Sequence, residues 1–257
     1  MSGVKDDPAG LMRRLLAEAI GTGLLVTVVV GSGIAAQRLS PQDTGLQLLE
    51  NSTATVFGLA VLILMFGPVS GAHFNPVVTV ADWFLGRRSG TGLPGSFVGP
   101  YLIAQVVGGI AGAVLANAMF DLPAVQISGT DRATTGHGIG EIVATAGLVA
   151  LIFLLARTGR HALSAAAVGA YIGAAYWFTS STSFANPAVT VGRIFSDTFA
   201  GIAPSSVPLY VGAQIIGAAI GVGLVVALFP VSNTHPDRAA ENESSGSTAE
   251  APSNREH

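Results

Sequence analysis

Asn-Pro-Val-Val-Thr-Val at residues 75–80 returns as Asn-Pro-Ala-Val-Thr-Val at 186–191, 111 residues later with one letter changed. A second echo, Ala-Gln-Val-Val-Gly-Gly at 104–109, returns as Ala-Gln-Ile-Ile-Gly-Ala at 213–218, a separation of 109. Glutamates also recur ahead of each box: Glu18 precedes the first Asn-Pro by 57 residues, and Glu141 precedes the second by 45. The chain is therefore a duplication, and each copy reads as helix, helix, short segment, helix. An odd number of crossings per copy obliges the two copies to insert into a membrane with opposite orientation.

That the medium is a membrane follows from the rest of the chain. Charged residues make up 11% of the 257 positions, against about 25% in a soluble domain. A helix needs about 20 mainly apolar residues to cross a hydrocarbon core of about 30 Å. Six segments qualify, at Leu11–Ala36, Leu48–Phe66, Pro100–Phe120, Gly138–Leu155, Ala162–Ser181 and Val207–Pro230. Their only carboxylates are Glu18, Glu50 and Glu141. Arg13 and Arg14 before the first apolar run superficially suit a signal peptide, but the run is long and carries Glu18, so it reads as a first transmembrane helix. Lys5, Arg13, Arg14, Arg87, Arg88, Arg157, Arg160, Arg238 and Arg255 fall on one side, against Arg38 and Arg132 on the other. Basic residues favour the cytoplasm, which puts both termini inside an inner (plasma) membrane. Residues 1–10 form a cytoplasmic lead-in, 11–230 the membrane domain (repeats at about 11–120 and 137–230), and 231–257 a polar tail expected to be disordered. A net charge of -3 gives no footprint for nucleic acid, and the absence of cysteine excludes disulfides and thiolate metal sites. No cofactor, metal site or catalytic residue is called for. His73, Ser70 and Ser183 stand near the boxes without a base and orienting acid together.

Two segments, His73–Arg88 and Ser183–Phe199, are too short to span. Each opens on Asn-Pro, a strong helix start, because asparagine caps orphan amides and proline has no N–H to orphan. Backbone that enters a membrane and stops must lie within protein or line a watery cavity. Asn75 and Asn186 thus become candidate donors to a passing solute, at a point where the positive ends of two half-helices disfavour cations.

With its paired boxes, SGAHFNPVVT and FANPAVT, its two glutamates and its AQ motifs, the sequence resembles the aquaporin and aquaglyceroporin (major intrinsic protein) family over about residues 11–230. The resemblance implies an all-α membrane protein with an aquaporin-like fold, six transmembrane helices plus two re-entrant half-helices in an inverted repeat. It further implies one pore per subunit, a homotetramer in the lipid bilayer, and passive flux of small neutral hydroxylated solutes. The box residues Asn75, Pro76, Val77, Asn186, Pro187 and Ala188 become pore residues, with Val77 where alanine is usual and Val77 and Ala188 packed where the half-helices abut. An intramembrane carboxylate needs a partner or a function. Proton relay is one reading of Glu18 and Glu141; the resemblance implies that they hold the re-entrant loops through backbone amides.

Water channels of this family usually carry arginine after the second box, where this chain has Val189. Ungapped spacing from the boxes puts the other selectivity-filter positions at Thr55, Ala174 and Ser183, with Phe57 in place of Thr55 if the second helix shifts by two residues. Four small side chains suggest a wide, uncharged constriction suited to glycerol, urea-like molecules or undissociated arsenite. FGPVSGAHFNP, Val189 and TFAGI at 198–202 resemble a bacterial subgroup associated with arsenic resistance, which makes arsenite the leading solute here and ordinary glycerol or water facilitation the alternative. Arg193 lies one turn beyond Val189 on the same face, either in the vestibule or paired with Asp197. His73 is expected to be a packed loop residue and His161 a surface residue. A coupled transporter lacks the intramembrane lysine or aspartate for a coupling site, and a purely structural protein leaves the paired boxes unexplained.

Overall fold

The computed structural model describes residues 8–87 and 89–230. Lys5, Arg88, Arg238 and Arg255, most of the 1–10 lead-in and the tail expected to be disordered lie outside the described residues. Eight α-helices follow in order among the described residues: α1 Pro8–Leu39, α2 Thr44–Ser70, α3 Pro76–Gly86, α4 Gly95–Met119, α5 Thr135–Arg157, α6 Ser164–Phe178, α7 Pro187–Gly192 and α8 Val207–Leu228. Five of them, α1, α2, α4, α5 and α8, are long and apolar enough to cross a membrane. The sixth expected crossing is shorter than its sequence range. α6 has 15 residues, about 22 Å at 1.5 Å per residue, and follows a 3₁₀ turn at His161–Leu163. Likewise the second box opens only six helical residues before a 3₁₀ turn at Arg193–Phe195 takes over.

Glycine governs how closely the long helices approach. A Cβ on Gly108 or Gly112 of α4 would overlap the backbone carbonyls of Ala19 and Gly23 on α1. In the other half, Gly217 and Gly221 of α8 stand in the same relation to Ile142 and Ala146 on α5. Small residues spaced by four let backbones touch, and in lipid this packing supplies much of the association. Thr27 adds an interhelical bond, its Oγ1 donating to the Gly112 carbonyl at 3.1 Å.

The bundle is inverted relative to a soluble protein. Phe57, Leu64, Ile103, Trp177, Phe178 and Ile215 are exposed on its outside, whereas Glu18, Gln105, Glu141 and Gln214 are fully buried. Apolar surface of this extent calls for a cover of lipid or of another protein, and on helices long enough to span a bilayer it points to lipid. The polar interior organises two short turns, the segments before α3 and α7.

Candidate functional site

Each turn is held by a carboxylate from a long helix. Gly71 ends α2 in the left-handed region, φ 91°, and the chain then alternates into that region at Ala72 and Phe74, φ 50° each. The second turn repeats this at Ser183 and Ala185, φ 49° and 48°. Such angles are unfavourable for residues bearing a Cβ, and their amides cannot join a helix. Glu18 accepts from the backbone N–H of His73 (3.0 Å) and Phe74 (2.7 Å), and from Gln105 Nε2 (2.8 Å). Glu141 accepts from Phe184 (2.8 Å), Ala185 (2.8 Å) and Gln214 Nε2 (2.6 Å). Each glutamine also donates to a threonine of the adjoining half-helix, Gln105 to Thr79 and Gln214 to Thr190, at 2.9 Å in both cases. The AQ echo of the sequence is this pair of glutamines.

The two half-helices are tied together at their amino ends. Asn75 Oδ1 accepts from Val77 N, and Asn186 Oδ1 accepts from Ala188 N and Val189 N. Pro76 and Pro187 occupy the first helical positions. Asn75 Nδ2 donates across to the Ala185 carbonyl at 2.8 Å, and Asn186 Nδ2 donates back to the Phe74 carbonyl at 2.7 Å. One of the two side-chain N–H bonds on each asparagine is spent in this way; a side-chain amide has two. Val77 joins Ala81, Val149, Phe153, Ala218 and Val225, so α5 and α8 absorb its bulk. Ala188 is fully buried against the backbone of α4, its carbonyl beside Gly109.

Both asparagines line one cavity of about 310 Å³. Long helices contribute stripes at a spacing of four residues: Thr55, Leu59 and Ile63 from α2, and Ser164, Val168, Ile172 and Tyr176 from the α6 region. The half-helices contribute Val78 and Val189 three residues after each asparagine, and Asp82 and Arg193 seven residues after. Among the expected filter residues, Thr55, Ser183 and Val189 lie on this wall. Phe57 is 67% exposed on the outside of the bundle.

Ala174 is corrected by the structure. It sits on the exposed face of α6, and Tyr176 takes the place on the wall instead. Tyr176 is buried, its hydroxyl 3.2 Å from Thr55 Oγ1. The spacing argument missed it because two residues rotate a helix by about 200°, from one face to nearly the opposite one. The cavity wall therefore carries a large aromatic ring at this place, where a small side chain was expected. Ser183 is also buried, and its hydroxyl has no hydrogen-bond partner among the described residues.

Arg193 is 2% exposed on the cavity wall. Its guanidinium lies 3.4 Å from the centroid of the Phe184 ring, a cation–π stack, and its Nε donates to the Ala200 carbonyl. The alternative pair with Asp197 is not formed: that carboxylate accepts from Gly129 N at 3.0 Å. Arg132, from the α4–α5 connection, approaches the same Phe184 ring at 5.5 Å and donates to the Gly201 and Phe199 carbonyls. His73 is packed in its loop, as expected. It lines the cavity, with Nδ1 3.2 Å from Thr79 Oγ1 and Nε2 4.0 Å from Asp82. His161 is exposed and also reaches the cavity wall.

Apolar helices clothed for lipid, enclosing a mainly apolar cavity that carries polar groups at two cross-tied turns, define a multi-span membrane protein that acts as a passive channel for small neutral solutes. Comparison with known proteins agrees and sharpens the class. The description of the family "MIP: Major intrinsic protein" matches residues 7–183, and the chain belongs to that family of non-catalytic channels. It is 48% identical over 215 residues to the aquaglyceroporin AqpS of Rhizobium meliloti (strain 1021), covering 84% of this chain and 89% of the relative. Aquaporin AqpM of Methanothermobacter marburgensis is 30% identical over 237 residues, covering 82% of this chain and 94% of the relative. Among solved structures, the aquaglyceroporin from Plasmodium falciparum shares the fold with a TM-score of 0.60 at 19% identity, over 84% of this chain and 95% of that one.

Proposed function

We propose that the chain conducts water and glycerol-sized neutral polyols down their gradients. The observation that carries this reading is the mixed wall of the constriction. Thr55 and Tyr176 bring a hydroxyl pair to this wall, while Val189 offers only methyl groups. A polyol has hydroxyls along one edge and C–H groups along the other, and such a wall serves both. The remaining N–H bonds of Asn75 and Asn186 donate to the solute oxygen as it passes the boxes. Pro76, Val77, Pro187 and Ala188 set the half-helices, and Glu18 and Glu141 hold the turns. The 48% identity to a protein called an aquaglyceroporin supports the polyol reading over a strict water channel.

In this reading α6 with its preceding turn is the sixth crossing, and α3 and α7 are re-entrant half-helices of an inverted repeat. The excess of Lys and Arg on one side supports cytoplasmic termini in the plasma membrane, and the family resemblance supports a homotetramer. Undissociated arsenite is the second reading, favoured by one observation: valine at the position that follows the second box. Stopped-flow swelling and uptake of water, glycerol and arsenite in proteoliposomes separates the two, run beside Val189→Arg. Glycerol flux in the wild type that falls relative to water in Val189→Arg is the expected result. An unchanged solute ranking in the variant sinks the constriction argument, and fast arsenite with negligible glycerol selects the second reading.

A further inference from the structure

The two half-helices carry opposite charges at the same position. Asp82 follows Asn75 by seven residues, and Arg193 follows Asn186 by seven. Asp82 lies two helical turns past Asn75 on α3, Arg193 opens the 3₁₀ turn that follows α7, and Val78 and Val189 fall between each charge and its asparagine. All six side chains line the one cavity. Among the described residues Arg193 has no carboxylate within ion-pair distance, and a guanidinium keeps its charge. One oxygen of Asp82 accepts from Leu93 N at 2.7 Å, with the His73 ring 4.0 Å away. His73, His161 and Tyr176 are the other titratable side chains on this wall.

We propose that ion exclusion in this channel is divided between two opposite charges, Arg193 turning back cations at one end and Asp82 turning back anions at the other. A single fixed cation in a narrow, poorly polarisable passage repels cations but gathers anions around itself. With Val189 after the second box, the cation stands one turn farther along, where Phe184 and the Ala200 carbonyl hold it. The anion at the other half-helix closes the route that this cation would open to chloride. A neutral solute meets both charges and is held back by neither. The inference rests on the cavity being the conduction path.

The test uses the full chain in liposomes under a potassium chloride gradient, reading the diffusion potential beside water and glycerol flux in the same vesicles. Arg193→Gln leaves Asp82 alone and is expected to give a cation-selective leak. Asp82→Asn leaves Arg193 alone and is expected to give an anion-selective leak, while its amide oxygen still serves Leu93 N. Each leak should exceed wild type roughly tenfold or more, as a unit charge a few ångströms from the path requires. Leaks of the same sign in both variants overturn the proposal, as does no leak in either while glycerol still passes. A variant that no longer passes water is replaced by its charge-keeping partner, Arg193→Lys or Asp82→Glu. Tight vesicles that pass water are then the expected result, and a leak there also overturns it. A wild type passing neither water nor glycerol defeats the conduction reading itself, and this inference with it.

Discussion

Glu141→Gln isolates what a buried carboxylate does for the second turn. The carboxylate accepts from Phe184 N, Ala185 N and Gln214 Nε2 at 2.8, 2.8 and 2.6 Å. A carboxamide has one oxygen, so at best it keeps Ala185 and Gln214 there and turns its NH₂ toward Phe184 N. One buried N–H then faces a donor, which costs about 1–3 kcal/mol. The two surviving bonds lose their charge assistance, about 1 kcal/mol each. Relief of the buried charge offsets part of this, which leaves a net loss of about 2–4 kcal/mol. Ser183 and Ala185 sit at φ 49° and 48°, and beyond this carboxylate they are held only by the Ser181 hydroxyl on Ser183 N and by Asn75 Nδ2 on the Ala185 carbonyl, so the wall should loosen as well as the fold. The assay is residual glycerol flux after heating in detergent followed by reconstitution, since heat inactivation of a membrane protein is read as a rate. Faster inactivation and a lower initial flux are expected, the latter from displacement of the turn on the cavity wall. Unchanged inactivation and unchanged flux would refute the anchoring argument. An altered proton leak with stability intact would select proton relay instead.

Tyr176→Ala should raise the flux of polyols larger than glycerol, whereas Tyr176→Phe should change it little, because the ring and not the Thr55 bond fills the wall; size-series swelling assays distinguish them. Gly112→Ala drives a Cβ into the Gly23 carbonyl and should lower stability by about 1–3 kcal/mol, while Gly223→Ala, which meets open space, should not; inactivation temperatures decide. Asp131, in the α4–α5 connection, is held below the usual carboxylate range by the Ala133 N–H and then the Ser206 hydroxyl. A depressed pKa gives stability that is present above the unfolded value, about 3.9, and lost as pH falls through the folded one. Asp131→Asn should therefore flatten the acid limb of the inactivation profile below about pH 4.

The boxes, glutamates and AQ motifs were legible because each carries a chemical demand that no other residue type meets at that point. A half-helix inside a bundle needs a cap, and a turn of left-handed residues needs acceptors for its amides. The long crossings were legible from length and apolarity; α6 was legible too but drawn too long, into the 3₁₀ turn before Ser164 and the Thr-Ser run after Phe178. Face was harder than position. Thr55 and Phe57 differ by two residues, as do Ala174 and Tyr176, and each pair straddles the wall of its helix. Counting from a box carries any error in the intervening turn straight into rotation, about 100° per residue. The stripe of Ser164, Val168, Ile172 and Tyr176 was a signal within α6 itself that did not depend on that count. Asp82 was similarly readable as the counterpart of Arg193, because the boxes supply the register.

Environment explains which paired positions agree between the two halves and which differ. Glu18 and Glu141, Gln105 and Gln214, Thr79 and Thr190, and Asn75 and Asn186 are identical pairs, buried and bonded to the turns. Leaving one such donor or acceptor unsatisfied costs about 1–3 kcal/mol, a large fraction of the 5–15 kcal/mol that keeps a typical domain folded. His73 opposite Phe184, and Asp82 opposite Arg193, differ completely although they hold equivalent places beside the boxes. Their side chains line the cavity, so a change there alters what passes as well as how the wall packs. Substitution of the paired glutamates and glutamines, which lie outside the cavity wall, should therefore act on stability, and substitution of the differing charges Asp82 and Arg193 on selectivity.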